Sequence, residues 1–396
     1  MDKSELNKEI STIDHLLKKR FEEYPERGKS YEQMCDHLVI FSEKLRKFID
    51  YHSFEPHPNV GQMCDRFAQN PIFICGSMKS GTTLLIQLLD NHSDLFVLPG
   101  DSHFFNQYNT WKRNDFNSIM DAWIHSLINP SGKEPFWFLG PDLETLADFS
   151  KYLYYFLNQT SYEIFVCVVM AAYAAIGNDE SNLPEKKYWV EKTPSNELHV
   201  PFLIQKFPDA KFIHIVRDPL ENLVSLMKLN ELRKRNLSIY ENAFHMKKQF
   251  KAGRKNQKKM GEKKYHIIKY EELVSEPEKI LKEICEFLNI TFEKTLQEPT
   301  ENGVSAMSNS MFKNSRVRGK ILDQSNKQRF KKHLETTTIN DILSIFEKEA
   351  SYFDYHWDDS EISLDKHTRL LNKAKVFSII TKNRGKRFFQ NILKKI

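Results

Sequence analysis

The sequence lacks the patterns that define several common classes of protein. Its five cysteines among 396 residues are widely spaced and include no CxxC pair. We therefore expect neither a disulfide scaffold nor a cysteine-based metal site, and a reducing cytosol is the default compartment. No internal repeat and no low-complexity tract is present, which argues against a repeat array or a disordered chain. No metal-ligand spacing is found, so no metal is predicted.

Long apolar runs are also missing. The longest, Ile164–Ile176, has 13 residues, whereas a helix needs about 20 apolar residues to cross a bilayer. We interpret this run as a buried core helix, with a re-entrant membrane segment as the alternative. The first ten residues are charged and contain no apolar core, so no secretory signal is predicted and we expect a cytoplasmic protein.

Acidic residues are absent from the end of the chain. Residues 366–396 hold ten Lys and Arg and no Asp or Glu, so the rest of the chain has a net charge of −5 although the whole chain has +5. An acidic body disfavours nucleic-acid binding. Interleaved apolar residues predict a basic amphipathic helix in this tail. Such a helix either contacts an anionic membrane, at the inner membrane face, or docks on the body by its apolar side.

What the sequence does contain is an alternation of short apolar runs and helical patterns. The predicted strands are Ile72–Cys75, Leu95–Leu98, Tyr188–Val190, Lys211–Val216 and Tyr265–Tyr270. The intervening helical patterns include Leu84–Asp90, 196–206, 219–227 and Pro277–Leu288. Alternation of this kind predicts an α/β fold with a parallel sheet covered by helices on both faces. Ligands of such sheets bind at the carboxyl ends of the strands.

The stretch after the first strand is the strongest motif. Residues 76–83, GSMKSGTT, lie between an apolar strand and an apolar helix. Free N–H groups at a helix start can bind an anionic group, and glycine lets the main chain approach that group closely. A Walker A loop would have its lysine directly after the second glycine. Here that position is Thr82 and the lysine is Lys79, so an ordinary nucleoside-triphosphate loop is disfavoured.

This segment resembles the 5'-phosphosulfate loop of sulfotransferases that use 3'-phosphoadenosine 5'-phosphosulfate (PAPS). Their pattern, Lys/Arg-Ser/Gly-Gly-Thr, is matched by Lys79, Ser80, Gly81, Thr82 and Thr83. The resemblance implies that these residues bind the donor's 5'-phosphosulfate. It also implies that Lys79 is catalytic and stabilises the charge that develops during transfer.

A second motif follows the fourth strand. Arg217 lies at the strand end, and Ser225 follows eight residues later in a helix that Asp218 and Pro219 are expected to start. A guanidinium and a hydroxyl are suited to a phosphate monoester. An Arg paired with a neighbouring carboxylate is the alternative. The segment resembles the sulfotransferase motif that binds the donor's 3'-phosphate.

Asp101 is the candidate general base, because an attacking hydroxyl must lose its proton at the strand-end cleft. Residues 101–105, DSHFF, resemble the Glu-x-His-Phe-Phe segment of heparan sulfate glucosaminyl 3-O-sulfotransferases, where the Glu is the base. Asp101 follows Lys79 at the same separation. The side chain is one methylene shorter, and His103 is the second candidate. By itself, Asp101 would more often be a turn residue or helix cap.

Two further basic segments complete the predicted site. Lys192, in Glu-Lys-Thr-Pro, resembles an element of carbohydrate sulfotransferases near the sulfuryl group and acceptor, although an exposed lysine before a helix is an equal alternative. Arg318, Gly319 and Lys320 resemble the late loop that closes over the 3'-phosphate, with a solvated basic loop as the alternative.

The combined prediction is a PAPS-dependent sulfotransferase that acts on a hydroxyl or amine, with a carbohydrate or glycolipid as the expected acceptor. Its expected domains are a helical extension at 1–69, a sulfotransferase domain at 70–360 and a basic tail at 361–396. A kinase or NTPase with a deviant loop is the first alternative. A non-catalytic protein that binds nucleotides or polyanions is the second.

Overall fold

The computed structural model describes residues 54–102, 143–176, 184–232, 237–308, 317–323, 328–357 and 366–393, with isolated positions elsewhere. The helices among these residues are α1 Pro58–Ala68, α2 Thr82–Leu89, α3 Leu143–Gln159, α4 Ile164–Ile176, α5 Val200–Lys206, α6 Pro219–Leu232, α7 Ile239–Met260, α8 Tyr270–Ser275, α9 Pro277–Leu288, α10 Phe330–His333, α11 Thr336–Tyr352 and α12 Lys366–Leu393. The strands are β1 Pro71–Cys75, β2 Leu95–Asp101, β3 Tyr188–Lys192, β4 Lys211–Val216, β5 Tyr265–Lys269, β6 Thr300–Glu301 and β7 Val304–Ser305. Most of the predicted extension at 1–69 lies outside the described residues.

The chain divides into two compact units. The first unit comprises residues 1–71 and 92–193, and the second comprises 72–91 and 194–396. In the first unit β2 and β3 pair in parallel. In the second unit β4 pairs in parallel with both β1 and β5. Parallel strands with flanking helices confirm the predicted α/β fold. The predicted boundaries at 69/70 and 360/361 stay a prediction.

Apolar runs become the strands of the second unit. Every residue of β1 is buried, and β4 is buried after its first residue. Strands covered on both faces need continuous apolar sequence rather than alternation. For this reason β4 has its predicted bounds, Lys211–Val216, and β1 differs from prediction only by Pro71.

The first unit is built around α4. Its residues from Phe165 to Ala175 are buried, and it packs against α1 and α3. The Phe165 ring lies edge-on to Trp189 of β3, with 5.4 Å between ring centroids. The Trp189 indole N–H donates to the Ala68 carbonyl at 3.0 Å. The prediction of a buried core helix is therefore confirmed.

The second unit has its own apolar core, to which α6, α7, α11 and α12 contribute. Val376 and Ile380 of α12 are buried in this core. The predicted tail helix is thus confirmed as a helix, and one of its faces docks on the second unit. Within the described ranges, no helix combines the length and apolar character that crossing a membrane requires.

Candidate functional site

The loop between β1 and α2 adopts a backbone conformation that requires glycine at two positions. Gly76 and Gly81 have φ values of 151° and 111°, and Lys79 has a φ of 68°. A Cβ atom on Gly76 would lie 2.7 Å from the main-chain oxygen of Ile215, and one on Gly81 would lie 2.4 Å from the Tyr270 ring. Both glycines therefore combine a positive φ with a close approach to a neighbouring element.

Hydrogen bonds within the second unit fix the beginning of this loop. The Gly76 N–H donates to Glu197 Oε2 at 2.9 Å, and the Ser77 hydroxyl donates to Gln249 Oε1 at 2.8 Å. The Gln249 amide in turn donates to Ser195 Oγ at 2.6 Å. Burial raises the pKa of Glu197 to about 7. The carboxyl that holds the loop is therefore partly protonated near neutral pH.

The sequence predicts an anion-binding site at the end of the loop and the start of α2. Ser80 is fully buried, and its hydroxyl has no hydrogen-bond partner within the described parts of the chain. Thr82 is also buried and is the first residue of α2, followed by Thr83. The first N–H groups of an α-helix have no carbonyl partner within the helix. Main-chain N–H groups and hydroxyls in this arrangement can donate several hydrogen bonds to one negatively charged oxygen.

Arg217 lies at the end of β4 against this loop. Its Nη1 donates to the Lys79 carbonyl at 3.0 Å, and its guanidinium carbon lies 4.4 Å from the centroid of the Tyr270 ring. Nη2 is 3.9 Å from a carboxylate oxygen of Glu221. Nε is buried and has no acceptor among the residues that the structure describes. Because a buried donor without an acceptor is costly, this nitrogen is suited to an incoming anion.

The helix after Arg217 begins as the sequence predicts. The Asp218 carboxylate accepts from the main-chain N–H groups of Leu220 at 2.8 Å and Glu221 at 3.2 Å, so Asp218 is the N-cap. It also accepts from the Trp357 indole at 3.0 Å. Burial raises the pKa of Asp218 to about 6. Ser225 lies in this helix, α6, and is buried.

The first unit brings Asp101 and Lys192 together. They are the last residues of β2 and β3 and are partners in the parallel register, next to an irregularity after Val97. The Lys192 ammonium donates to the Asp101 carboxylate. The Lys192 side chain is 6% exposed and that of Asp101 is 32% exposed. Asp101 thus offers the more accessible group of an ion pair at the carboxyl end of two strands.

A buried carboxylate, that of Glu191, lies directly before Lys192 in the chain. Glu191 is fully buried, and one of its oxygens accepts hydrogen bonds from the hydroxyls of Thr193, at 2.6 Å, and Ser102. The two hydroxyl residues follow Lys192 and Asp101 directly in the chain. The strand ends are therefore joined by two neighbouring polar contacts.

The late basic loop lies on the β6–β7 hairpin of the second unit. The Arg318 guanidinium donates to the Ser305 carbonyl at 2.8 Å, and the Gly319 N–H donates to the Ala306 carbonyl at 2.9 Å. Gly319 has a φ of 61°. Arg318 and Lys320 are exposed. The hairpin therefore positions the part of the predicted loop that the structure describes.

The predicted site residues fall into three groups. In the second unit the structure brings together Arg217 and the loop at 76–83, and it positions Arg318 separately on the hairpin. In the first unit it pairs Asp101 with Lys192. His103 lies outside the described residues. No group of three or more His, Cys, Asp or Glu that could hold a metal ion occurs in the described ranges.

Three residues in these contacts were not identified from the sequence. Glu197 and Gln249 lie 121 and 172 residues along the chain from their loop partners, Gly76 and Ser77. No local sequence pattern predicts a contact between residues so far apart in the chain. Tyr270 could have been found. It directly follows β5, so the strand-end rule that selected Arg217 applies equally to it.

Comparison with known proteins gives the family of this chain. The model of the sulfotransferase family matches residues 71–294, more than half of the chain. The chain therefore belongs to the sulfotransferase family. An uncharacterized protein of Aquifex aeolicus (strain VF5) is 24% identical over 299 residues. That match covers 69% of this chain and 34% of the relative, so the chain spans about a third of the curated relative's length.

Solved structures provide further similar proteins. The sulfotransferase domain from the curacin biosynthetic pathway is 20% identical, with a TM-score of 0.47, over 72% of this chain and 97% of that chain. The sulfotransferase STF9 from Mycobacterium avium is 15% identical, with a TM-score of 0.42, over 88% of this chain and 97% of that chain. Retinol dehydratase in complex with androsterone and inactive cofactor PAP is 11% identical, with a TM-score of 0.36, over 76% and 88%.

Proposed function

We propose that this chain transfers the sulfuryl group of PAPS to an acceptor hydroxyl. The observation that carries the proposal is the position of Arg217. Its guanidinium is buried, binds the Lys79 carbonyl, stacks on Tyr270 and keeps Nε without an acceptor among the described residues. A buried, oriented guanidinium next to a glycine loop is suited to a substrate with two anionic groups.

In this proposal the donor is bound at both of its phosphate-bearing ends. The start of α2 and the hydroxyls of Ser80, Thr82 and Thr83 bind the 5'-phosphosulfate, because a helix start favours negative charge. Arg217 and Ser225 bind the 3'-phosphate. Arg318, Gly319 and Lys320 approach the same phosphate from the hairpin and make the donor site more positive.

The transfer itself is an in-line displacement. The acceptor oxygen forms a bond to sulfur while the bond between sulfur and the 5'-phosphate oxygen breaks. The acceptor proton passes to a carboxylate oxygen of Asp101, and the electron pair of the broken bond leaves on 3'-phosphoadenosine 5'-phosphate (PAP). Lys79 stabilises the charge on the bridging oxygen. As in phosphoryl transfer, positioning and charge stabilisation supply most of the acceleration.

Lys192 has two roles in this scheme. Its ammonium orients the Asp101 carboxylate by a direct hydrogen bond. It also supplies positive charge near the transferring group. The segment around Asp101 resembles that of carbohydrate sulfotransferases, so we assign a carbohydrate or glycolipid hydroxyl as the acceptor class.

The experiment is a transfer assay with radiolabelled PAPS and a panel of acceptors comprising desulfated heparin, chondroitin, galactosylceramide and 4-nitrophenyl glycosides. Lys79→Ala is the decisive variant, because it keeps the main-chain carbonyl that Arg217 binds and removes the ammonium with the chain that carries it. We expect its turnover to fall at least ~10³-fold, the scale of a lost charge-stabilising group. Lys279→Gln, which removes an exposed lysine of α9, is the control for general charge loss. Undiminished transfer by Lys79→Ala would overturn the catalytic assignment.

A further inference from the structure

Helix α12 has two apolar faces, of which only one is covered. Val376 and Ile380 are 2% and 3% exposed and belong to the core of the second unit. Leu370, Leu371 and Phe377 are 66%, 56% and 64% exposed. Docking of the helix therefore accounts for Val376 and Ile380 but not for the three exposed residues. Three large apolar side chains remain directed at solvent along nearly two turns of helix.

The same helix is strongly basic. Its described residues up to 383 include five Lys and Arg and no acid. Arg369 and Lys373 both pair with Glu347, at 2.8 and 2.9 Å, and Lys375 pairs with Asp341 at 2.5 Å. Two carboxylates thus serve three cations, and the helix keeps an excess of positive charge. That excess lies along the element that exposes the apolar side chains.

Helix α7 adds a second set of cations beside α12. The half-buried Lys247 has its pKa lowered mainly by burial. Glu349 opposes this shift, and the like charges of Lys373, Lys251 and Lys348 each add a smaller contribution to it. These four lysines come from α7, α11 and α12, and we call them the basic cluster. Helices α7 and α11 pack against each other and against α12, so these lysines lie on adjoining helices. Neighbouring like charges favour an anionic partner.

The basic cluster and the exposed apolar residues meet at Lys373. Leu370 precedes Lys373 by three positions and Phe377 follows it by four, and side chains at these spacings are neighbours on a helix surface. The row Leu370–Lys373–Phe377 therefore combines two exposed apolar side chains with a cation of the basic cluster. A mixed row of this kind is characteristic of helices that lie in a membrane interface.

We propose that α12, with the basic cluster, is a peripheral binding surface for an anionic lipid bilayer. Lipid phosphates would neutralise the lysines while Leu370, Leu371 and Phe377 enter the boundary of the acyl chains. A nucleic acid would satisfy the charges but leave those apolar side chains in water. A second copy would bring the same positive charge against itself. The proposal is independent of sulfuryl transfer.

The experiment measures partition of the full chain onto vesicles of phosphatidylcholine alone and of phosphatidylcholine with phosphatidylglycerol, at 50 mM and 500 mM NaCl. We expect binding only to the anionic vesicles and mainly at low salt. Lys251→Gln combined with Lys382→Gln, which removes an exposed lysine of α12, should lower the partition coefficient about 25-fold, from roughly fivefold per lysine. Leu370→Ser with Phe377→Ser should lower it at least ~10-fold, because apolar burial is lost.

Matched controls come from other helices of the second unit. Leu232→Ser removes a leucine that is 67% exposed in α6, and Lys279→Gln removes an exposed lysine in α9. Both should bind like the wild type. All variants should keep the wild-type melting temperature and PAP binding. In Phe377→Trp, the emission maximum of the introduced tryptophan should shift to shorter wavelength when anionic vesicles are added.

Three results would overturn the proposal. The first is no binding to anionic vesicles at 50 mM NaCl. The second is equal binding by the wild type and the Leu370→Ser, Phe377→Ser variant. The third is binding that RNA or heparin abolishes while the added tryptophan shows no shift, which would indicate a polyanion surface instead. None of these results bears on donor binding, which Arg217 and the glycine loop determine.

Discussion

The glycine loop of the second unit and the Asp101–Lys192 pair of the first unit are built in different ways. The loop is held by its backbone, through positive φ values, close packing on Ile215 and Tyr270, and main-chain hydrogen bonds. The pair is held by side chains at two strand ends. A site held by its backbone is disrupted by added atoms that clash with it. In a side-chain pair, by contrast, a substitution can change one functional group and leave the backbone in place. Substitutions in the loop should therefore change donor affinity, whereas substitutions in the pair should change the rate of transfer.

The largest expected effect comes from Asp101→Asn. Asparagine keeps an oxygen that can accept from the Lys192 ammonium but cannot take up a proton at neutral pH. Loss of a general base costs ~10²–10⁴-fold in rate. We expect kcat to fall by that amount while the Kd for PAP stays unchanged, as measured by steady-state kinetics and calorimetry.

Asp94→Asn is the matched control for Asp101→Asn. Asp94 immediately precedes β2 and pairs with Lys187 at 3.0 Å, so it is an ion-paired aspartate at the opposite end of the same strand. Its replacement should leave kcat unchanged. A loss of PAP affinity without loss of kcat in Asp101→Asn would show that Asp101 is not the base.

The next effect is on stability and depends on pH. The native pKa of Glu197 is about 7, above its ordinary value of 4.5, so the folded state binds the proton more tightly than the unfolded state. This stabilisation is complete below pH 4.5 and is lost as the pH rises through 7, by ~3 kcal/mol. Glu197→Gln should remove that slope while its amide oxygen still accepts from Gly76.

Urea unfolding at pH 5.0 and pH 7.5 measures this difference. The change in unfolding free energy between the two pH values should be smaller in Glu197→Gln than in the wild type. The exposed Glu276→Gln serves as the control and should retain the wild-type slope. An identical slope in all three proteins would contradict the assignment of this pH dependence to Glu197.

A smaller effect is expected from Gly81→Ala. The new Cβ would overlap the Tyr270 ring, at 2.4 Å, in addition to requiring a φ of 111°. Backbone strain of this kind costs ~1–3 kcal/mol. Displacement of Tyr270 should also disturb Arg217, so the Kd for PAP should rise at least ~10-fold in calorimetry.

Gly261→Ala separates strain from overlap. Gly261 has a φ of 74° and nothing within 4 Å of its added Cβ. This variant should lose stability by strain alone and keep the wild-type Kd for PAP. If Gly81→Ala also kept that Kd, the proposed coupling of the loop to Tyr270 and Arg217 would be wrong.

The smallest effect is expected from Ser225→Ala. Ser225 is buried in α6, and the proposal assigns its hydroxyl one hydrogen bond to the 3'-phosphate. Loss of one such bond costs about 1–2 kcal/mol, so the Kd for PAP should rise roughly 5- to 30-fold. Ser344→Ala removes another buried hydroxyl, which donates to the Asp341 carbonyl at 2.6 Å. It should change stability but not PAP affinity.

Much of the fold was predictable because its strands and helices have local signals. β4 and α9 have their predicted bounds, the first from a continuous apolar run and the second from Pro277 and an amphipathic repeat. The start of α6 followed from Asp218 and Pro219. By contrast, α2 begins at Thr82 rather than Leu84, because the positive φ of Gly81 ends the loop earlier than the apolar run indicates.

The candidate site was predictable only where one segment contains the whole signal. The loop at 76–83 and Arg217 can be identified by their residue types and by their position directly after a strand. The ion pair between Asp101 and Lys192, which are 91 residues apart in the chain, needed the register of β2 and β3. The links from Glu197 and Gln249 to the loop are tertiary contacts without any local pattern. Their roles became visible only from hydrogen bonds.

The most direct test of the account is calorimetric binding of PAP to the wild type, Arg217→Ala and Arg254→Ala, with 5'-AMP and ATP as control ligands. Arg254 is the control because it is a partly exposed arginine of α7, 4.0 Å from a carboxylate oxygen of Glu349. We predict that the wild type and Arg254→Ala bind PAP. Both should bind 5'-AMP far more weakly, because it lacks the 3'-phosphate. Arg217→Ala should lose most of this preference for PAP over 5'-AMP. Equal binding of PAP and 5'-AMP, or stronger binding of ATP, would contradict a PAPS site at Arg217 and the glycine loop.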